Sequence, residues 1–166
     1  MDLQQLRASH AAVIAADPED LYNMVSDITR TGEWSPVCTG GQWDEGAAPR
    51  PGSWFTGRNK AGTYEWTTRC QVTVASHGHD FGFVVGGAAD GWVCWNYSFR
   101  PTADGTLVTE SWEVLRIVPH MGETDDQLLA LRDRTQANLE ATLQALKDAA
   151  EAADPRPSGP GSPTRS

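Results

Sequence analysis

One strand-like segment places a carboxyl group among large apolar residues. In GTLVTESWEV, Val108, Glu110, Trp112 and Val114 occupy alternate positions, and alternation puts such residues on one face of a β-strand. If that face is the inner one, Glu110 is a carboxyl beside a tryptophan. Desolvation then raises its pKa and suits it to moving protons. If the face is the outer one, Glu110 meets solvent or pairs with an arginine such as Arg58. Arg58, within GRN, is itself either a group that orients an oxyanion or enolate, or an ordinary surface arginine. Tyr97 shares its parity with Val93, Trp95 and Phe99. It is either a proton donor at a pocket wall or a core tyrosine whose hydroxyl is satisfied within the fold. Asn96 and Ser98 have the opposite parity and are expected to be exposed.

Other chemistries find little support. His10 shares a parity with Ala12 and Ile14, but a lone histidine in an edge strand carries no reaction by itself. His77-Gly78-His79-Asp80 falls at a hairpin turn with no third ligand nearby in sequence, so no metal is expected. There is no G-x-S-x-G, P-loop or dinucleotide fingerprint, and GGAADG lies between strands rather than before a helix. No cofactor is expected. The two lysines, Lys60 in a turn and Lys147 near a helix end, offer no Schiff-base candidate. Cys38, Cys70 and Cys94 are odd in number and lack CxxC spacing, which argues against a disulfide scaffold or zinc ribbon. A net charge of -9 opposes contact with nucleic acid or an anionic membrane. The start, MDLQQLRASH, lacks the order of a signal peptide, and no apolar run is long enough to span a bilayer; the cytoplasm is the expected compartment.

The element that must position these residues is the last long one, residues 124–153. It has neither proline nor glycine, and Leu128, Leu131, Leu139, Leu143 and Leu146 recur at helical spacing. Thr135, Thr142, Ala149 and Ala150 fill in the same stripe. Thr124 and Gln127 read as a capping box. A helix of about thirty residues spans roughly 40 Å and needs an equally long surface to bury its stripe.

Upstream, residues 8–15 read as an edge strand. Asp17-Pro18-Glu19 starts a short helix with Leu21, Met24, Val25 and Ile28 on one face. Gly32 is expected to break it, and Glu33-Trp34-Ser35-Pro36 to form a second short helix or turn. Residues 40–118 alternate turn signals with about six strands. In the strand beginning YEWTTRC, Trp66, Thr68, Cys70, Val72 and Val74 alternate on one face; Phe81, Phe83 and Val85 share a face in the next. All seven tryptophans lie between the first helix and the last. No helices are available between the strands, so the sheet is antiparallel and the long helix covers one face. The class is α+β, one domain over residues 1–153. The tail, 154–166, is rich in Pro, Gly and Ser and is expected to be disordered.

This order of elements, together with AADPEDLYNMVSDITRTGEWSP, YEWTTRC and GTLVTESWEV, resembles the START-like (SRPBCC) superfamily. This helix-grip fold contains the birch pollen allergens and the bacterial polyketide cyclases. The resemblance implies a curved antiparallel sheet of about seven strands gripping the C-terminal helix. It also implies a deep, mostly apolar cavity between them for a hydrophobic small molecule. Trp34 would then stand at the cavity mouth as part of a gate, with Trp66, Trp95 and Trp112 as an aromatic wall and Thr68, Cys70 and Phe83 beside them. Polyketide cyclases of this group often carry an inward arginine at the position of Cys70, and Arg69 has the wrong parity to replace it. Two function classes follow. One is a cofactor-free cyclase or dehydratase using Glu110, Tyr97 or Arg58; the other is a noncatalytic carrier or sensor of a lipid or hydrophobic metabolite. Either is expected to work as a monomer or homodimer.

Overall fold

The computed structural model describes residues 1–153; the predicted tail lies outside them. Seven strands form one antiparallel sheet: β1 (Arg7–Ile14), β2 (Cys38–Trp43), β3 (Trp54–Ala61), β4 (Tyr64–Ser76), β5 (Asp80–Val85), β6 (Val93–Thr102) and β7 (Gly105–Val114). Their spatial order is β1-β7-β6-β5-β4-β3-β2. Strands β2 to β7 therefore follow one another as hairpins, and only β1 is displaced. Between β1 and β2 the chain crosses to the far edge through α1 (Pro18–Ser26) and a 3-10 helix, Ile28–Glu33. The long helix α2 (Asp125–Ala153) returns to lie chiefly along β1. This is the expected α+β helix-grip architecture.

The capping box forms as its spacing requires. Gln127 N donates to Thr124 Oγ1 at 3.3 Å, and Thr124 N donates back to Gln127 Oε1 at 3.2 Å. The stripe buries Leu128, Leu139, Leu143 and Leu146 with Ala150. Thr135 and Thr142 are buried in the same stripe because their hydroxyls donate to the carbonyls of Leu131 and Asn138, one turn back.

Polar residues beside the stripe perform a second task. As an edge strand, β1 leaves every other backbone group unpaired. Gln136 acts as a strand surrogate: its Oε1 accepts from Ser9 N at 3.3 Å and its Nε2 donates to Ser9 O at 3.0 Å. Lys147 Nζ donates to Val13 O at 3.0 Å, and Ala15 N donates to Glu151 Oε1 at 3.1 Å. The helix thus closes the edge it packs on.

Three local expectations are corrected. The alternation of β4 slips at a bulge between Val72 and Val74, so Ala75 pairs with Phe81 on the inner face and Val74 is 40% exposed. Gly32 does not break α1, which ends at Ser26; it lies inside the following 3-10 helix. A Cβ at Gly32 would stand 2.3 Å from Thr39 O, so close backbone packing of this helix against β2 is what requires glycine there. Asp17 takes the N-cap position with extended backbone but makes no side-chain cap bond, leaving Pro18 as the start signal. Tyr22, absent from the predicted α1 face, is buried with its ring edge-on to Phe81 and Phe99.

Candidate functional site

The alternation of β7 resolves inward. Thr106, Val108, Glu110, Trp112 and Val114 are all buried, and Glu110 is only 4% exposed. Across the β6–β7 ladder its register partner is Tyr97, itself 6% exposed. The Tyr97 hydroxyl donates to Glu110 Oε1 at 2.6 Å, while Oε2 has no hydrogen-bond partner among the described residues. Burial pushes the Glu110 carboxyl up to about 8, opposed by the Tyr97 hydrogen bond, which favours the charged form. The Tyr97 phenol is held well above its ordinary value, first by burial and then by the neighbouring Glu110. A carboxyl neutral at pH 7, with one oxygen fixed and the other free, is equipped to give and retake a proton.

Around this dyad the inner face is ordered in two rows. One runs His10, Glu110, Tyr97, Phe81 and Ala75 across β1, β7, β6, β5 and β4. The adjacent row runs Ala8, Trp112, Trp95, Phe83 and Val72. Trp112 is buried, whereas Trp95 and Phe83 are half-buried. Phe83 meets Phe55 edge-on, with ring centroids 5.1 Å apart. Two of the predicted wall residues, Trp95 and Trp112, are thus brought together beside the dyad, with the predicted Phe83 next to them.

The remaining predicted site residues lie elsewhere. Cys70 is inward and buried between Phe55 and Val85, its thiol pushed up to about 12 by burial. That holds it as an unreactive thiol. Strand β5 ends at Val85 opposite Cys70, so Thr68 and Trp66 project beyond it. Thr68 accepts a hydrogen bond from Asn59, and Trp66 stacks on the exposed Tyr64. Arg58 is exposed on the outer face, opposite to buried Phe55 and Gly57, with its guanidinium over Gly40. It therefore neither pairs with Glu110 nor faces the dyad. Trp34 is buried in the core, its ring covered by the Arg30 guanidinium at 5.4 Å.

The space expected to be a deep cavity is largely filled by side chains. Phe81, Phe99, Leu139, Leu143 and Leu146 are nearly inaccessible. The two concavities described are shallow and at the surface. One, of about 430 Å³, lies by the β1–β7 edge between Ser9, Ser111, Trp112 and Gln136. The other, of about 530 Å³, lies between Gln42, Asp44 and Thr56. One residue that sequence reasoning left out belongs near the dyad: His10, its register neighbour, set aside as a lone histidine.

The family model described as "Polyketide cyclase / dehydrase and lipid transport" matches residues 5–151. The chain belongs to this family. Solved structures agree. The Polyketide_cyc-like protein Cgl2372 from Corynebacterium glutamicum is 35% identical, with 92% of this chain and 96% of that one covered and a TM-score of 0.61. The di-domain ARO/CYC StfQ of the steffimycin biosynthetic pathway is 17% identical, covering 91% of this chain and 53% of that one, with a TM-score of 0.70. MLL2253 from Mesorhizobium loti is 14% identical at a TM-score of 0.67, covering 89% and 98%. At these last two identities the likeness is one of fold alone. A search of curated proteins returns no significant match. Cys70, where the resemblance led to an inward arginine being expected, is a buried thiol. Anchoring by a guanidinium from that position is therefore unavailable to this member.

Proposed function

We propose that the protein binds a hydrophobic, oxygen-bearing small molecule, polyketide-like or another apolar metabolite, between the sheet and α2, where the side chains that fill the space must part to admit it, and promotes its cyclisation or dehydration. The observation that carries this reading is the Glu110 carboxyl, buried, without a partner at Oε2 among the described residues and held at Oε1 by Tyr97. A neutral Glu110 gives its proton to a carbonyl oxygen that is being enolised, or to a departing hydroxyl. The resulting carboxylate takes the proton from the adjacent carbon, and Glu110 is restored. Tyr97 is the positioning group: its hydrogen bond fixes the carboxyl and stabilises the transient carboxylate. Trp112, Trp95 and Phe83 supply the apolar surface that would hold the chain of the ligand in a reactive conformation.

A carrier role is the second reading, favoured by the mostly apolar inner face and by the buried thiol at Cys70. Native mass spectrometry of the purified protein, to identify a co-purifying ligand, supplies the compound for the test. With that compound, Glu110→Gln should keep binding nearly intact and abolish turnover, because the amide keeps the shape but not the proton. Trp112→Ala should weaken binding. A ligand released unchanged by the parent protein, with equal affinity in the Gln variant, would establish the carrier reading.

A further inference from the structure

The dyad has a neighbour on its other side. β1 pairs with β7 so that His10 stands directly across from Glu110, as Tyr97 does on β6. Residues opposed in an antiparallel ladder point to the same face, with Cα atoms about 4.5–5.5 Å apart. His10 therefore shares the inner face with Glu110. It is half-buried where the carboxyl is fully buried, and it belongs to the edge strand, with Ala8 and Ala12 before and after it on that face.

The other groups around Glu110 have no comparable proton to exchange. Along β7 its inner-face neighbours are Val108 and Trp112; beyond Tyr97 stands Phe81 of β5. The buried face of α2 offers Thr135, Leu139, Thr142, Leu143 and Leu146, none of which titrates. Burial raises the pKa of the Cys38 thiol on β2. A buried carboxyl that loses a proton must regain one from water, and imidazole is the side chain that exchanges protons near neutral pH.

We propose that His10 is the proton-exchange partner of Glu110, linking the buried carboxyl to water at the β1 edge. The imidazolium gives a proton to the Glu110 carboxylate, becomes neutral, and is reprotonated by solvent; the reverse sequence removes a proton from the carboxyl. No direct hydrogen bond joins the two side chains among the described residues, so the transfer passes through one bridging water molecule or a turn of the imidazole ring. The role rests on the reading of Glu110 as the proton-moving group, but its test needs no substrate.

The test follows the Glu110 carboxyl by carbon NMR in protein labelled at glutamate Cδ, with Glu110→Gln identifying the signal. In the parent protein the curve should show two inflections, one from its own ionisation and one from His10. In His10→Gln the second inflection should vanish. The midpoint should also shift by more than about 0.5 pH unit, because the two ionisations are linked across the ladder. The His10 ring, followed by nitrogen NMR, gives the reciprocal measurement: its inflection near the Glu110 midpoint should be lost in Glu110→Gln. This second arm decides the question even if His10→Gln fails to fold. Superimposable Glu110 curves in the parent and His10→Gln, or an unchanged His10 curve in Glu110→Gln, would overturn the proposal. Coupled titration alongside unimpaired turnover in Glu110→Gln would instead remove the catalytic reading and leave the proton link standing.

Discussion

Tyr97 stands directly across the β6–β7 ladder from Glu110 and donates its hydroxyl proton to Oε1 at 2.6 Å, leaving Oε2 with no partner among the described residues. Removing a buried partner costs more than the net value of the bond, because the group left behind keeps its desolvation penalty. Tyr97→Phe should therefore destabilise the domain by about 1–3 kcal/mol. It should also move the Glu110 midpoint above 8, since the bond that favours the carboxylate is lost. Urea unfolding and carboxyl NMR measure the two effects, and a midpoint that fell would contradict the assigned role of the hydroxyl.

The same carboxyl makes stability depend on pH. Its pKa rises from 4.5 to about 8 on folding, so between those values the folded state holds a proton that the unfolded state has released. The stabilisation linked to this group is complete below 4.5 and is lost as pH rises through about 8. Its contribution to the slope approaches about 1.4 kcal/mol per pH unit within that window. Glu110→Gln should flatten the profile there. Parallel profiles for the parent and the variant would show that Glu110 is ionised in the folded protein.

Packing of α2 is tested at Leu139, which is 1% exposed. An aspartate there places an unpaired charge against the sheet, and Leu139→Asp should cost more than about 3 kcal/mol and abolish cooperative melting near the parent's Tm. A variant that melted within a few degrees of the parent would disprove the packing.

The edge closure makes a different prediction. Gln136→Ala removes both bonds to Ser9 without touching the buried stripe. It should cost only about 1–2 kcal/mol but speed amide exchange at Ser9 selectively, with little change at β6. Uniformly faster exchange through the sheet would mean that Gln136 supports the core and does not guard the edge.

Much of the fold was legible in the sequence because the signals were local. The alternation of Val108, Glu110, Trp112 and Val114, the leucine stripe of α2 and the Thr124–Gln127 box each lie within one element, where a single period or a single turn carries the message. Even the antiparallel sheet followed from the lack of helices between strands. The candidate site was legible only as residue types: Glu110, Tyr97, Trp95, Trp112 and Phe83 could be named, but not joined.

Tertiary structure decided the joining. Nothing in the residues around Glu110 states that its face is the inner one, nor that register sets Tyr97 on one side of it and His10 on the other. Arg58 is one residue away from the inward parity of Gly57, and that single step places it on the outer surface. The bulge at Val72–Val74 turned Val74 outward by the same one-residue arithmetic. Period and capping are properties of neighbours along the chain, whereas register is a property of strands that meet only when the chain has folded. His10 comes from the first strand and Glu110 from the last, and the closure of β1 onto β7 is what makes them neighbours.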